Sequence, residues 1–193
     1  MIDNQPVLTI HRGHRRPGHT LIEAFRGAST SHLADAMNGR GSLDWRIKPL
    51  DPANARFVGA ALTAHSYPAD IHGMVGAAME AEAGDVICCA NDGFTGTAVI
   101  GDLAAGILRN KRVAAFVTDG LARDRAGIAA TGLPLFAVGE RTAAAARGIG
   151  FENVMTANGD ATRLRDLVLK SVKAKALKKT SPLLYLAGAG AGR

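Results

Sequence analysis

Two short segments place charged groups where backbone and side chain could act together on one ligand. In Gly101-Asp102-Leu103-Ala104 a glycine and an acid open a helical stretch, and the unpaired N–H groups of a first helical turn can receive a substrate carboxylate. In Thr118-Asp119-Gly120-Leu121-Ala122-Arg123-Asp124 an apolar strand feeds a turn that carries Arg and Asp side by side. One or two carboxylates completed by water suit Mg²⁺ or Mn²⁺, and no His/Cys set with zinc spacing is present. No lysine stands in either segment. The nearest, Lys111, opens the strand leading to the second, which argues against Schiff-base chemistry. Each segment also has a plainer reading. Asp102 could be an ordinary helix cap, and Arg123 with Asp124 a solvated ion pair worth about 0–1 kcal/mol.

The elements that must position these residues follow from periodicity and punctuation. Thr30 to Met37 reads as a short helix stopped by Gly39 and Gly41, and Ile47 to Leu50 runs into a turn at Asp51-Pro52. Phe57 to Ala64 reads as a strand, and Ile71 to Glu82 as a helix with Ile71, Val75, Ala78 and Met79 on one face. Val86 to Ala90 is a buried strand, Asp92-Gly93 a turn, Leu103 to Arg109 a helix, and Val113 to Thr118 and Leu133 to Val138 are further strands. This alternation predicts an α/β layered domain with parallel pairing at its centre.

The whole chain of 193 residues fits one domain of ordinary size, able to fold without disulfides. Cys88 and Cys89 are its only cysteines; on a strand they face opposite ways and cannot easily bridge. No apolar run approaches a membrane span and the start MIDNQPVLTI lacks the layout of a signal peptide, so a cytoplasmic protein without membrane contact is expected. The net charge of +6 is unevenly spread. Residues 1–147 carry 15 basic against 14 acidic side chains, whereas 148–193 carry 8 against 3, among them Lys170, Lys173, Lys175, Lys178 and Lys179. The composition changes after Arg147, with a helix-like stretch from Ala161 to Lys179 and a Gly/Ala-rich end from Gly188 to Gly192 that reads as a loose tail. A second basic cluster, His11-Arg12-Gly13-His14-Arg15-Arg16, reads as an exposed arm. Neither cluster is interleaved with aromatics, so no nucleic-acid partner is expected.

Thr30-Ser31-His32-Leu33-Ala34-Asp35-Ala36, Gly84-Asp85-Val86-Ile87, Gly101-Asp102-Leu103-Ala104 and Asp119-Gly120-Leu121-Ala122-Arg123-Asp124 stand in the order and spacing of the RraA-like proteins. The chain resembles that family over roughly residues 28 to 141. The DGxxRD turn, its Arg 22 residues after Gly101, is the most specific mark. The resemblance implies a swivelling β/β/α fold, assembly as a homotrimer or hexamer, and a site between subunits. It divides the chain into an N-terminal arm (1–27), an RraA-like β/β/α domain (28–147) and a divergent basic C-terminal tail (148–193). Family members carry further Val- and Gly-rich strands at that end and a late acidic residue that completes a neighbour's site; here no acid follows Asp166.

The catalytic members of the family are similar to 4-hydroxy-4-methyl-2-oxoglutarate aldolase. The resemblance implies that Asp124 is the metal carboxylate, that Arg123 meets the substrate, and that Gly101, Asp102, Leu103 and Ala104 form the loop for the substrate carboxylate. Asp102 and Arg123 are then the catalytic pair, with Asp102 holding metal-bound water. The implied activity is a divalent-metal-dependent retro-aldol cleavage of a 4-hydroxy-2-oxo diacid to pyruvate, with oxaloacetate decarboxylation through the same enolate. The rival is a non-catalytic protein that regulates ribonuclease by binding it; such members resemble this chain in fold but lack an aspartate at the place of Asp124. A methyltransferase would need a glycine-rich cofactor loop after an early strand, and none is seen. His32, His65 and His72 are isolated and read as packed or surface residues.

Overall fold

The apolar runs at 86–89, 115–118 and 135–138 are covered on both faces, as central parallel strands require, whereas the run at 60–65 lies at an edge and alternates buried with exposed residues. A computed structural model of the chain describes residues 6–138 and 161–173. The first stretch holds α1 (His19–Ala24), α2 (Thr30–Ala36), β1 (Ile47–Pro49), β2 (Ala60–His65), α3 (His72–Glu80), β3 (Asp85–Ala90), β4 (Ala98–Ile100), α4 (Asp102–Asn110), β5 (Ala115–Thr118), β6 (Leu121–Ala122), α5 (Arg125–Thr131) and β7 (Leu135–Val138). The second holds helix α6 (Ala161–Lys173), within the helix expected from Ala161. By contacts the chain divides into two units, Met1–Gly139 and Glu140–Arg193, of which the second contains α6. The Gly188–Gly192 end and the lysines beyond Lys173 lie outside the described residues. No described helix is long and apolar enough to cross a membrane.

The main sheet has the order β1-β7-β5-β3-β2, with β2, β3, β5 and β7 parallel and β1 antiparallel at its edge. Alternation along the strands sorts two cores. Ile87, Cys89 and Phe116 join Leu62, Met74, Ile100, Leu108, Ile128 and Leu135 on one face, while Val86, Ala115 and Val117 gather Cys88, Ile47 and Phe136 on the other. The two thiols therefore face opposite ways and are both free, as expected, and burial pushes both up in pKa, away from reactive thiolate. Beyond the sheet, β4 and β6 form a separate parallel pair.

Several boundaries move for local reasons. The strand expected from Phe57 starts at Ala60, because Gly59 passes the carbonyl of Gly84 so closely that a Cβ would sit 2.1 Å from its oxygen. The ladder begins one residue later, at Ala60 opposite Asp85. Helix α3 turns a different face inward from the one its apolar stripe suggested. Met74, Gly76 and Ala77 are buried, whereas Ile71, Val75 and Met79 remain exposed. Small residues decide this, since a Cβ on Gly73 would stand 2.0 Å from the His65 carbonyl oxygen. The end of β2 also caps the helix: Ser66 Oγ accepts from the Met74 N–H at 3.0 Å.

The basic cluster expected as an exposed arm is exposed except at Arg16, which is half-buried, and it is tied down along α3. Leu8 packs over Gly76, Arg12 pairs with Glu80 at 2.8 Å, and Arg16 reaches Glu82 and Asp85. The Asp85 side chain is only 3% exposed and accepts from Arg16 Nε at 2.9 Å, from Arg16 Nη2 at 2.8 Å and from the Glu82 N–H at 2.8 Å. Burial pushes this carboxyl up, but the Arg16 fork and the Glu82 N–H outweigh it and hold the pKa below its ordinary value.

Breaking a buried pair strands a charge, so Arg16→Ala should cost about 3 kcal/mol by urea denaturation at neutral pH. Arg12→Ala, at a solvated pair, should leave the midpoint unmoved. Because the folded pKa of Asp85 is depressed, its contribution is complete above the ordinary carboxylate pKa and is lost as pH falls through the lower folded value. The Arg16→Ala chain should therefore lose less stability than the parent between neutral pH and pH ~3.

Candidate active site

Three strand ends fix the frame of the site. At the close of β3, the N–H groups of Asn91 and Gly93 donate to the two oxygens of Asp119, at 2.5 and 2.9 Å. The Asn91 carboxamide donates to the carbonyls of Ser66 and Tyr67, each at 3.0 Å. Gly120 passes directly over Asn91, where a Cβ would lie 2.9 Å from Oδ1. The chain then leaves β5 as β6, which pairs with β4 through Ala98 opposite Leu121 and Ile100 opposite Ala122. The Arg123 N–H extends this pairing to the Ile100 carbonyl at 3.0 Å.

That register brings the two segments read from the sequence into contact. Gly101 caps α4 with extended backbone, and a Cβ placed on it would stand 2.7 Å from Asp124 Oδ2 and 3.0 Å from Arg123 Nε. Asp124 stands in left-handed backbone, φ 58°, and its carbonyl starts α5 by accepting from the Ile128 N–H at 3.0 Å. One turn along α5, Gly127 makes room for Asp102, whose Oδ2 would lie 2.6 Å from an added Cβ. Gly101, Asp102, Arg123 and Asp124 thus occupy one small region where β4 and β6 give way to α4 and α5.

The plain readings are only partly realised. Arg123 Nε and Asp124 Oδ2 do pair, at 3.3 Å, with the side chains 75% and 44% exposed, so both remain open to a ligand. Asp102 does not cap α4; it is the first helical residue, and its Oδ1 accepts from its neighbour, the Leu103 N–H, at 2.7 Å. The Ala104 N–H has no partner among the described residues, while Ala105 already bonds the Gly101 carbonyl at 3.0 Å. Leu103 projects outward, 82% exposed, and Ala104 is half-buried.

Among the described residues no group of three or more His, Cys, Asp or Glu side chains is gathered for a metal. Asp124 with Asp102 nearby is an oxygen-only set of few ligands, which fits a hard divalent cation that keeps most of its waters and does not fit structural zinc. Lys111 is committed elsewhere: its Nζ donates to the carbonyls of Ala78 and Met79, each at 2.8 Å. His65 pairs with Asp92 at 3.0 Å, His72 pairs with Asp70, and His32 is exposed. Sequence reading passed over Asn91, which shapes the site without touching it. Its signal was a lone carboxamide between a buried strand and the Asp92-Gly93 turn.

The close contacts at Gly101 and Gly127 can be separated from the general effect of glycine in a helix. Gly106, in the middle of α4, faces open space, so Gly106→Ala should stabilise by about 0.5–1 kcal/mol. Gly127→Ala should destabilise by about 1–3 kcal/mol, because the new methyl meets the Asp102 Cβ at 2.7 Å, an atom fixed to the α4 backbone. Gly101→Ala meets a carboxylate tip and a guanidinium that can swing away, so it should keep the fold while displacing Arg123 and Asp124. Urea denaturation of the three variants checks the order.

The sequence profile of the RraA-like family, Aldolase/RraA, matches residues 30–166, beyond the 28–141 reached by motif alone. A protein of Halalkalibacterium halodurans named "Putative 4-hydroxy-4-methyl-2-oxoglutarate aldolase" is 35% identical over 151 residues, covering 77% of this chain and 71% of that protein. A crystal structure of a Pseudomonas syringae protein superposes with a TM-score of 0.56 at 25% identity, over 68% of this chain and 62% of that one. The RNA-processing inhibitor RraA from Thermus thermophilis superposes with a TM-score of 0.52 at 26% identity, over 57% and 66%. The chain thus spans less than two thirds of the length of these two solved relatives. With the mixed α/β fold, the paired Gly101 and Arg123-Asp124 segments and a profile match over most of its length, the chain belongs to the RraA-like family.

Proposed function

We propose that the chain is a divalent-metal-dependent lyase that cleaves a 4-hydroxy-2-oxo diacid, of the 4-hydroxy-4-methyl-2-oxoglutarate type, to pyruvate by a retro-aldol reaction, and decarboxylates oxaloacetate by the same electron flow. The observation that carries this reading is the close approach of Gly101 to Arg123 and Asp124, which sets a helix N-terminus, a guanidinium and a carboxylate around one point. The relative named for the aldolase supports it.

Asp124 would hold Mg²⁺ or Mn²⁺, with Asp102 bonding the waters of that ion, and the bound cation would supply Lewis acidity toward a 2-oxo acid. The first turn of α4 receives the substrate carboxylate: the Ala104 N–H is open to it, and the Leu103 N–H becomes available when Asp102 turns away. Arg123, largely solvated in the free chain, exchanges its pairing with Asp124 for the substrate. There its fork stabilises the negative charge that gathers on the keto oxygen as the C3–C4 bond breaks.

We also propose that the active form is a homotrimer or hexamer in which a second copy covers an apolar strip on α3 and α4. Val75, Met79 and Ile107 are exposed around a hollow of about 350 Å³ with almost wholly apolar walls. Leu103 continues the strip into the carboxylate turn.

Arg123→Lys should keep metal affinity by calorimetry yet lose about a hundred-fold in pyruvate release, because one ammonium cannot replace the planar fork, a loss of about 2.7–4 kcal/mol. Asp124→Asn should lose the metal itself. Near-normal turnover in both variants would remove this turn from the chemistry, undiminished turnover in excess chelator would remove the metal from it, and no pyruvate release from the parent chain at all would leave the family's ribonuclease-binding role as the reading. Ile107→Glu should convert the assembly to monomers in light scattering; a parent chain that is already monomeric would refute the assembly.

A further inference from the structure

The run Arg109-Asn110-Lys111-Arg112 lies at the far end of α4 from Gly101, and its three cations divide their labour. Lys111 ties α4 to α3 through the two carbonyls described above. Arg109 and Arg112 are not committed: neither guanidinium has a hydrogen bond or ion pair among the described residues. Both line one hollow of about 770 Å³, open to solvent, where β5 and β7 begin and α4 and α5 end. Asn110 lines it too, its carboxamide also unpartnered, and no carboxylate is present in the wall.

The helix ends by themselves draw cations, since their partial charge is negative. Arg109, in the last turn of α4, meets that need. Arg112 is different. It stands just past the helix end with φ 59°, in left-handed backbone where glycine is the usual residue. Helix α5 makes the same kind of stop beside it with Gly132, φ 71°. The chain thus accepts a disfavoured backbone at one of two matching positions and gains a second guanidinium in the hollow. Asn54 Nδ2 donates to the Gly132 carbonyl at 2.8 Å, covering an oxygen that would otherwise repel an anion there.

We propose that this hollow is a binding site for a small, multiply charged oxyanion, a phosphate-bearing or dicarboxylate metabolite, gripped by Arg109 and Arg112. Guanidinium forks pair with either group, and the hollow, though open to solvent, has room for a small molecule between the two exposed arginines. The site is separate from the carboxylate turn, because α4 runs between the two.

The test is thermal unfolding of the full chain in metal-free buffer, titrated with pyrophosphate and in parallel with succinate, against sodium chloride at matched ionic strength. A saturable rise in Tm with one or both anions, absent with chloride, is expected, and the arm that saturates names the ligand class. Arg109→Gln and Arg112→Gly should each weaken the half-saturation point about tenfold or more, the size of one lost charge-assisted contact. Arg112→Gly should also raise the Tm of the free chain, because glycine relieves the left-handed backbone, so loss of the response there is not loss of the fold. No saturable response to either anion, or a response unchanged in both variants, overturns the proposal. So does a response abolished by Arg123→Gln, which would place the anion at the candidate active site.

Discussion

The Asp119 carboxylate and the Asn91 side chain form the polar knot on which the rest of the architecture hangs. Between them they tie the ends of β2, β3 and β5 with four hydrogen bonds of 2.5 to 3.0 Å, and Asn91 is almost wholly buried. Parallel strands end in loops that need partners for their backbone groups, and here two side chains supply them. The knot dictates where the chain emerges from β5. That exit sets the short β6 beside β4, and the β4–β6 register in turn places Arg123 and Asp124 against Gly101. An apolar residue at Asn91 would leave the buried Ser66 carbonyl and the part-buried Tyr67 carbonyl without these donors, so the carboxamide holds the site together from a distance.

The candidate site is compact because backbone, not side-chain length, does most of the positioning. Two glycines, Gly101 and Gly127, let α4 and α5 approach until a carboxylate oxygen of Asp124 lies 2.7 Å, and one of Asp102 2.6 Å, from where a Cβ on each glycine would stand. Asp124 accepts a left-handed backbone to open α5 while its side chain turns back toward α4. Such a conformation is uncommon outside glycine, though least costly for Asn and Asp. The aspartate is thus suited both to the turn and to a cation, and neither role has to be given up for the other.

Much of this was legible in the sequence where the information is local. The strands β3, β5 and β7 stood out because two-sided burial writes continuous apolar runs, and α4 because Gly101-Asp102 opens it. The meeting of Gly101-Asp102 with Arg123-Asp124 was legible only through family spacing, since no local pattern reports a contact 22 residues away. What was missed has a common physical cause. The two- and three-residue strands β6 and β4 and the seven-residue α5 are too short to show a period, and exist because tertiary pairing holds them. The stripe on α3 was a true period read toward the wrong partner: hydrophobicity marked Val75 and Met79, but the sheet chose the side where Gly73 and Ala77 allow close approach, while Gly76 receives Leu8 of the N-terminal segment. The Arg16–Asp85 pair joins residues 69 apart, so a basic cluster that looks solvated in sequence is an anchor in the fold.

The anchored N-terminal segment and the apolar strip are two consequences of the same helix. Leu8, Arg12 and Arg16 follow α3 along the side of Gly76 and Glu80, which leaves Val75 and Met79 on the neighbouring side without cover. Next to them Ile107 and Leu103 continue the strip along α4 to its first turn, inside the segment that meets Arg123. An aliphatic side chain standing almost free in water at the mouth of the turn proposed to take the substrate carboxylate gains from burial, at about 25 cal/mol per Å². Burial there also removes water from the charges beside it and so strengthens them. Proposed assembly and proposed chemistry therefore meet at Leu103: a second copy seated on the strip would bury this residue and enclose the guanidinium and carboxylate in the same step.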